Sequence, residues 1–224
     1  MRIHHKFLAL AIIGAVFLGA GCWDKGNAPA AAKPETKPTT AAKPTPPKDP
    51  DTELKEILAA FHESKSYKTK FRLPTKDGIV KGTLDHTKPN RYQGMTQLGS
   101  ENTAEIVIVG KELYMKIGDL TWEDMSDTKA GKAIIENMTN AAQGNSAFNQ
   151  EQTDKLKVLT RQTDELNGCK LFIARSTDAK PESPPVKICA KNGLPQYFEI
   201  DTNLGVYHVD FYDFNSIFII ERPM

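Results

Sequence analysis

The chain has 224 residues, with 29 Lys or Arg against 28 Asp or Glu and a formal net charge of +1 at pH 7. So even a balance offers no basic field for nucleic acid, and nucleic-acid partners are excluded on that ground. Beyond the N-terminus no stretch is apolar for the roughly 20 residues that a membrane-spanning helix needs.

The chain begins with Arg2 and Lys6 around His4 and His5, a basic opening followed by the uncharged run from Phe7 to Leu18. That run is too short for a spanning helix and fits the apolar region of a secretory signal, about 7–15 residues long. Small residues Gly19, Ala20 and Gly21 then precede Cys22. A signal peptidase needs small side chains beside the scissile bond, and lipoprotein processing needs a cysteine there to receive the diacylglycerol. Leu18-Gly19-Ala20-Gly21-Cys22 resembles the bacterial lipobox, although Gly19 stands where the motif prefers leucine. The resemblance implies that residues 1–21 are a lipoprotein signal peptide and that Cys22 carries the lipid anchor. The alternative is an ordinary signal peptide with a chance cysteine. Trp23 replaces the aspartate that retains enteric lipoproteins in the inner membrane. The expected location is therefore the bacterial cell envelope: the outer membrane facing the periplasm in a Gram-negative cell, otherwise the outer face of the cytoplasmic membrane.

Residues 25–50 are almost entirely Ala, Lys, Pro and Thr. Such a stretch cannot bury enough surface to offset its ordering entropy, and its prolines favour extended segments. Residues 22–50 are thus expected to be a lipidated cysteine and a disordered spacer. Residues 51–224 suit one domain.

A helix is expected to open at Asp49-Pro50, with Asp49 as cap and Pro50 in the first turn. Leu54, Ile57, Leu58 and Phe61 then form one apolar stripe at helical spacing. From Ser66 the period falls to two: Tyr67, Thr69, Phe71 and Leu73 alternate with Lys68, Lys70 and Arg72, which predicts a half-buried strand. Further strands are predicted over 78–86, 90–98, 103–109, 112–117, 157–164, 169–175, 186–191, 195–201 and 205–213. Asp77-Gly78, Gly110-Lys111, Asn167-Gly168 and Asn192-Gly193 separate several of them, and Asn-Gly is a strong hairpin marker. Turns this short imply an antiparallel meander, because parallel crossovers need about a dozen residues or more. One interruption, roughly 126–153, carries a helical face of Ala130, Ile134, Ile135, Met138 and Ala141. The fold class is mainly β with α: a curved antiparallel sheet whose face the helices cover.

With Cys22 lipidated, Cys169 and Cys189 remain as an even pair on neighbouring predicted strands joined by a Pro-rich loop. In an oxidising compartment that pair reads as a disulfide, the alternative being two free buried thiols.

This order of elements resembles the LolA/LolB-like superfamily, which includes lipoprotein carriers and the LppX/LprG lipoproteins. Local phrases agree: Lys81-Gly82-Thr83-Leu84 before Pro89-Asn90-Arg91-Tyr92, then Glu105 to Gly110 with Leu113-Tyr114-Met115-Lys116 and Trp122. Leu194-Pro195 before Phe198-Glu199-Ile200, and the ending Asp213-Phe214-Asn215 to Arg222-Pro223, resemble its last strands. The resemblance implies an unclosed half-barrel over 51–224, capped by helices and enclosing a site for acyl chains.

Catalytic motifs are missing from the sequence: no G-x-S-x-G, no H-E-x-x-H, no Walker loop, no G-x-G-x-x-G. No enzyme activity, metal or cofactor is implied. His208 with Asp210, and Glu199 with Asp201, share strand faces, but two ligands are too few for a metal and outward-facing strand charges are the plainer account. The sequence therefore points to a monomeric, membrane-anchored protein that binds a hydrophobic ligand: lipid, glycolipid or the acyl chains of other lipoproteins, in transport or sorting. The residues expected to line its site are Leu54, Leu58, Phe71, Val80, Leu84, Ile134 and Met138. The alternative is an envelope interaction or sensor module with a filled core and a protein partner.

Overall fold

The computed structural model describes residues 48–76, 78–98, 102–142 and 150–224. The segment expected to be a signal peptide, Cys22 and nearly all of the expected spacer lie outside the described residues. Helix α1 spans Pro50–Glu63, and Asp49 caps it by accepting from the Thr52 N–H at 3.0 Å. Leu54, Ile57, Leu58 and Phe61 are all buried, each contributing about 2 kcal/mol of apolar burial before ordering entropy is subtracted.

Six strands follow: β1 Ser66–Thr75, β2 Gly78–Thr87, β3 Arg91–Leu98, β4 Asn102–Val109, β5 Glu112–Ile117 and the short β6 Glu123–Asp124. Helices α2 (Lys129–Ala142) and α3 (Gln150–Lys155) occupy the interruption. Then come β7 Leu156–Asp164, β8 Cys169–Ser176, β9 Val186–Lys191, β10 Leu194–Thr202 and β11 Gly205–Tyr212. The β9–β10 turn is built by Asn192 at φ 55° and Gly193 at φ 77°, the left-handed pair that a two-residue hairpin demands. The sequence did not foretell β6, which is only two residues long, or that the interruption holds two helices.

All eleven strands form one antiparallel sheet in the order β6-β5-β4-β3-β2-β1-β11-β10-β9-β8-β7. This is not the single meander that the turns imply. It is two meanders, β1–β6 and β7–β11, joined where the first strand pairs with the last, Phe71 opposite Val209. The helical interruption is the cause. It takes the chain from one edge of the sheet to the other, so the second meander runs inward until β11 meets β1. Short turns set most neighbour pairs, and the loop 177–185 joins β8 to β9; no turn encodes the β1–β11 pairing.

Cys169 and Cys189 are joined, with Cα atoms 5.7 Å apart. The register places Leu171, not Cys169, opposite Cys189, so the disulfide crosses β8 and β9 diagonally. By strand alternation its cysteines point to the face opposite Phe172 and Ile188.

Candidate functional site

The inner face of the sheet follows from alternation and register. Tyr67, Thr69, Phe71 and Leu73 on β1 align with His86, Leu84, Gly82 and Val80 on β2. The same lane continues through Tyr92 on β3, Ile106 and Ile108 on β4, and Leu113 and Met115 on β5. On the other side of β1 it runs through Phe211 and Val209, then Phe198, Ile188 and Phe172.

Two packed clusters divide this face. In one, α1 lays its stripe on β1, β2 and β8–β11, and Leu54, Leu58, Phe71 and Val80 belong to it. In the other, Ile134 of α2 packs over Leu84, Tyr92, Ile106, Ile108, Leu113 and Met115. The expected site residues are thus all inward and buried where they are described, but they do not meet in one place: Leu84 and Ile134 sit apart from the other four. The Met138 side chain lies outside the described residues.

The covers are held differently. Asp51 of α1 accepts from the Val158 N–H at 2.7 Å and pairs with Lys157, while Glu53 pairs with Arg161 at 2.9 Å and with Lys170. Desolvation alone would raise the Glu53 pKa, yet the hydrogen bonds from Lys170 and Arg161 hold it below its ordinary value. Within α2, Lys132 pairs with Asp127, in the turn just before the helix; its described contacts with the sheet are apolar.

Between the clusters runs a seam of small and polar inward residues. A Cβ at Gly82 would lie 2.3 Å from the Met95 carbonyl and 2.5 Å from Phe71 Cζ, and one at Gly94 would lie 2.7 Å from Leu84 Cδ1. Only glycine lets Phe71 and Leu84 lean across onto the neighbouring strand. Thr69, fully buried, donates to the Leu84 carbonyl at 3.1 Å. At the seam's end His86 is 1% exposed, between Tyr67 and Tyr92 with ring centroids 4.8 and 4.7 Å away. Neither of its ring nitrogens has a hydrogen-bond partner. Desolvation, and then the Lys88 cation, draw its pKa down to about 3, while burial pushes the Tyr67 phenol up. Sequence reasoning missed this seam. Alternation with Leu84 puts His86 on the inner lane, but its lack of a partner is visible only in three dimensions.

On the outer face His208 sits between Glu199 Oε2 at 3.2 Å and Asp210 Oδ1 at 3.0 Å, and Lys187 bridges Glu199 and Asp201. The strand charges noted in the sequence thus face one another in a hydrogen-bonded network, and no group of three or more metal-ligating side chains occurs among the described residues. A groove of about 770 Å³ opens beside α1, lined by Glu53, Glu56, Lys170 and Lys191 among others. None of the expected ligand residues lines it.

No protein-family model matches the chain, and no curated protein matches it by sequence. Solved structures do. The lipoprotein LppX of Mycobacterium tuberculosis aligns over 76% of this chain and 97% of its own, with TM-score 0.51 and 13% identity. LprF of Mycobacterium bovis aligns over 77% and 96%, with TM-score 0.44 and 11% identity. A putative outer membrane lipoprotein-sorting protein domain from Vibrio parahaemolyticus covers 73% and 92%, with TM-score 0.29 and 11% identity. At such identities the likeness to LppX establishes a shared fold, an unclosed antiparallel half-barrel with helices on one face.

Proposed function

On the premise that the chain has the half-barrel fold of the LolA/LolB-like superfamily, we propose that it is an envelope lipoprotein, anchored through Cys22, that binds a hydrophobic ligand on the inner face of its sheet. One observation carries this reading. The inner face is apolar from β5 to β8 on both sides of the seam at Thr69, Gly82, His86 and Gly94, yet helices and not a second sheet cover it, and α2 rests on its half through apolar side chains alone among the described contacts. An acyl chain offers Leu84, Ile106 and Met115 the same kind of surface as Ile134 does, so exchanging one for the other costs little. The ligand belongs to the class of lipid, glycolipid or lipoprotein acyl chains. The spacer of residues 22–50 gives the domain reach from the membrane, and the role is transport or sorting.

The test changes Ile134 and Met138 together to Asp. Charges would then lie where acyl chains run, on a helix peripheral to the sheet. Binding of a fluorescent fatty-acid probe is expected to fall by about tenfold or more, a loss of about 1.4 kcal/mol, with strand content by circular dichroism unchanged. Wild-type protein that binds no such probe overturns the carrier reading.

A second reading, a module that docks a protein partner, draws on two observations. Leu58, Leu73 and Leu113 are fully buried in filled clusters, and the C-terminal segment leaves Ile217 99% and Ile219 76% exposed. Under that reading Ile217→Ser with Ile219→Ser abolishes partner capture in membranes and leaves probe binding absent in wild type and variant alike.

A further inference from the structure

His86 is an inward-facing imidazole on β2, 1% exposed, with no hydrogen-bond partner for either nitrogen. Buried polar groups in folded proteins are nearly always satisfied, so an exception calls for a physical account. A face that held hydrocarbon alone would carry no polar side chain there, as the other inward positions of β2 from Val80 on, Leu84, Gly82 and Val80, carry none. Tyr67 and Tyr92 flank the ring from β1 and β3, tilted to it by 43° and 32°. The sheet closes the site behind, so a partner must come from the concave side, at the boundary between the α1 and α2 clusters.

A neutral imidazole presents one N–H donor and one bare nitrogen acceptor. The group that matches it offers an acceptor and a donor together. We infer that His86 docks the uncharged polar head of an acyl ligand bearing both an ester carbonyl and a hydroxyl, as a monoacylglycerol does, with the chain lying along the inner face under α2. A carboxylate only accepts, and would leave one imidazole nitrogen unmatched. Burial, then Lys88, holds His86 neutral, and the Lys88 ammonium itself donates to the His62 carbonyl at 2.6 Å. The inference rests on the carrier reading and adds to it a head-group site that the apolar lining does not predict.

The experiment uses the full chain and two competitors of equal chain length, a monoacylglycerol and the corresponding alkane, each displacing a fluorescent acyl probe. Wild type should prefer the monoacylglycerol. His86→Phe should lower the ratio of the two affinities by about tenfold, and His86→Gln, whose amide keeps a donor and an acceptor, should hold it within about threefold. Nitrogen-15 spectra of the wild-type histidines give a readout that needs no variant: saturating monoacylglycerol should move the His86 resonances and the alkane should not. Should His86→Phe fail to fold, those spectra decide. An unchanged affinity ratio in folded His86→Phe, or His86 resonances unmoved by bound monoacylglycerol, overturns the inference and leaves the carrier reading standing. Wild type that binds neither competitor nor probe overturns both.

Discussion

A neutral histidine sealed in an apolar sheet makes stability depend on pH with a definite sign. The pKa of His86 drops from 6.5 to about 3 on folding, by desolvation first and by Lys88 second. Between those values the unfolded chain takes up a proton that the native state refuses. The stabilising contribution is therefore complete above about pH 6.5 and drains away as the pH falls towards 3, at about 1.4 kcal/mol per unit. By about pH 5 the loss is about 2 kcal/mol, a large part of a typical domain's stability. Urea unfolding of wild type and His86→Phe, at a series of pH values from about 8 to 5, measures it. The variant keeps an aromatic ring between Tyr67 and Tyr92 and removes two unpaired polar atoms, so at the alkaline end it should match or exceed wild type. Its stability should then fall about 2 kcal/mol less over the series than that of wild type. Every other group is common to both proteins and cancels in the difference. The lowered carboxyl pKa values of Asp49, Asp51 and Glu53 act below that range, where those groups lose charge. Parallel curves for the two proteins would refute the argument, because they would mean that the native state protonates His86 as freely as the unfolded chain does.

Gly82→Ala sets a Cβ against the Met95 carbonyl and the Phe71 ring; moving a backbone oxygen is not cheap, and the expected cost is about 1–3 kcal/mol by the same urea assay. Reducing the Cys169–Cys189 bond, whose cysteines are 20 residues apart, should lower stability by about 3 kcal/mol in the chain-entropy account, read as a drop in the unfolding midpoint with dithiothreitol. Cys22→Ser should leave the protein unprocessed or released from membranes, and intact mass of the membrane fraction checks it: a membrane-bound chain with unmodified Cys22 defeats the tethering proposal.

Local chemistry announced most of the elements. The Asp49 cap, the Leu54–Phe61 stripe, the alternation from Ser66 and the Asn192-Gly193 turn each act within a few residues, so periodicity and turn propensity locate them. What local pattern does not contain is which distant strands pair. The β1–β11 seam depends on the path of the segment between β6 and β7, and no residue in β1 or β11 marks the other as its neighbour. The division of the expected site residues has the same origin. Alternation marks Phe71, Val80 and Leu84 as inward positions, and inward they lie, but cluster membership is decided by which helix lies above them. Gly82 and Gly94 read in sequence as weak points in strands; in the sheet they are the spaces into which Phe71 and Leu84 lean.

Among the described residues the two helical covers are held by different contacts, and that difference bears on the proposed function. Moving α1 would break the ion pairs of Glu53 with Arg161 and Lys170 and the bond from Asp51 to the Val158 N–H. It would also expose the four buried apolar side chains Leu54, Ile57, Leu58 and Phe61. Moving α2 away from Leu84 and Met115 exposes Ile134 on one side and the sheet on the other, and a ligand's acyl chain can cover the sheet again as it enters. Apolar contact is non-directional, so a chain of methylenes replaces a leucine or isoleucine surface without geometric penalty, whereas the ion pairs at α1 have no such replacement. If the chain binds a hydrophobic ligand as proposed, these contacts favour displacement of α2 over displacement of α1, with the ligand on the half of the sheet from β2 to β5.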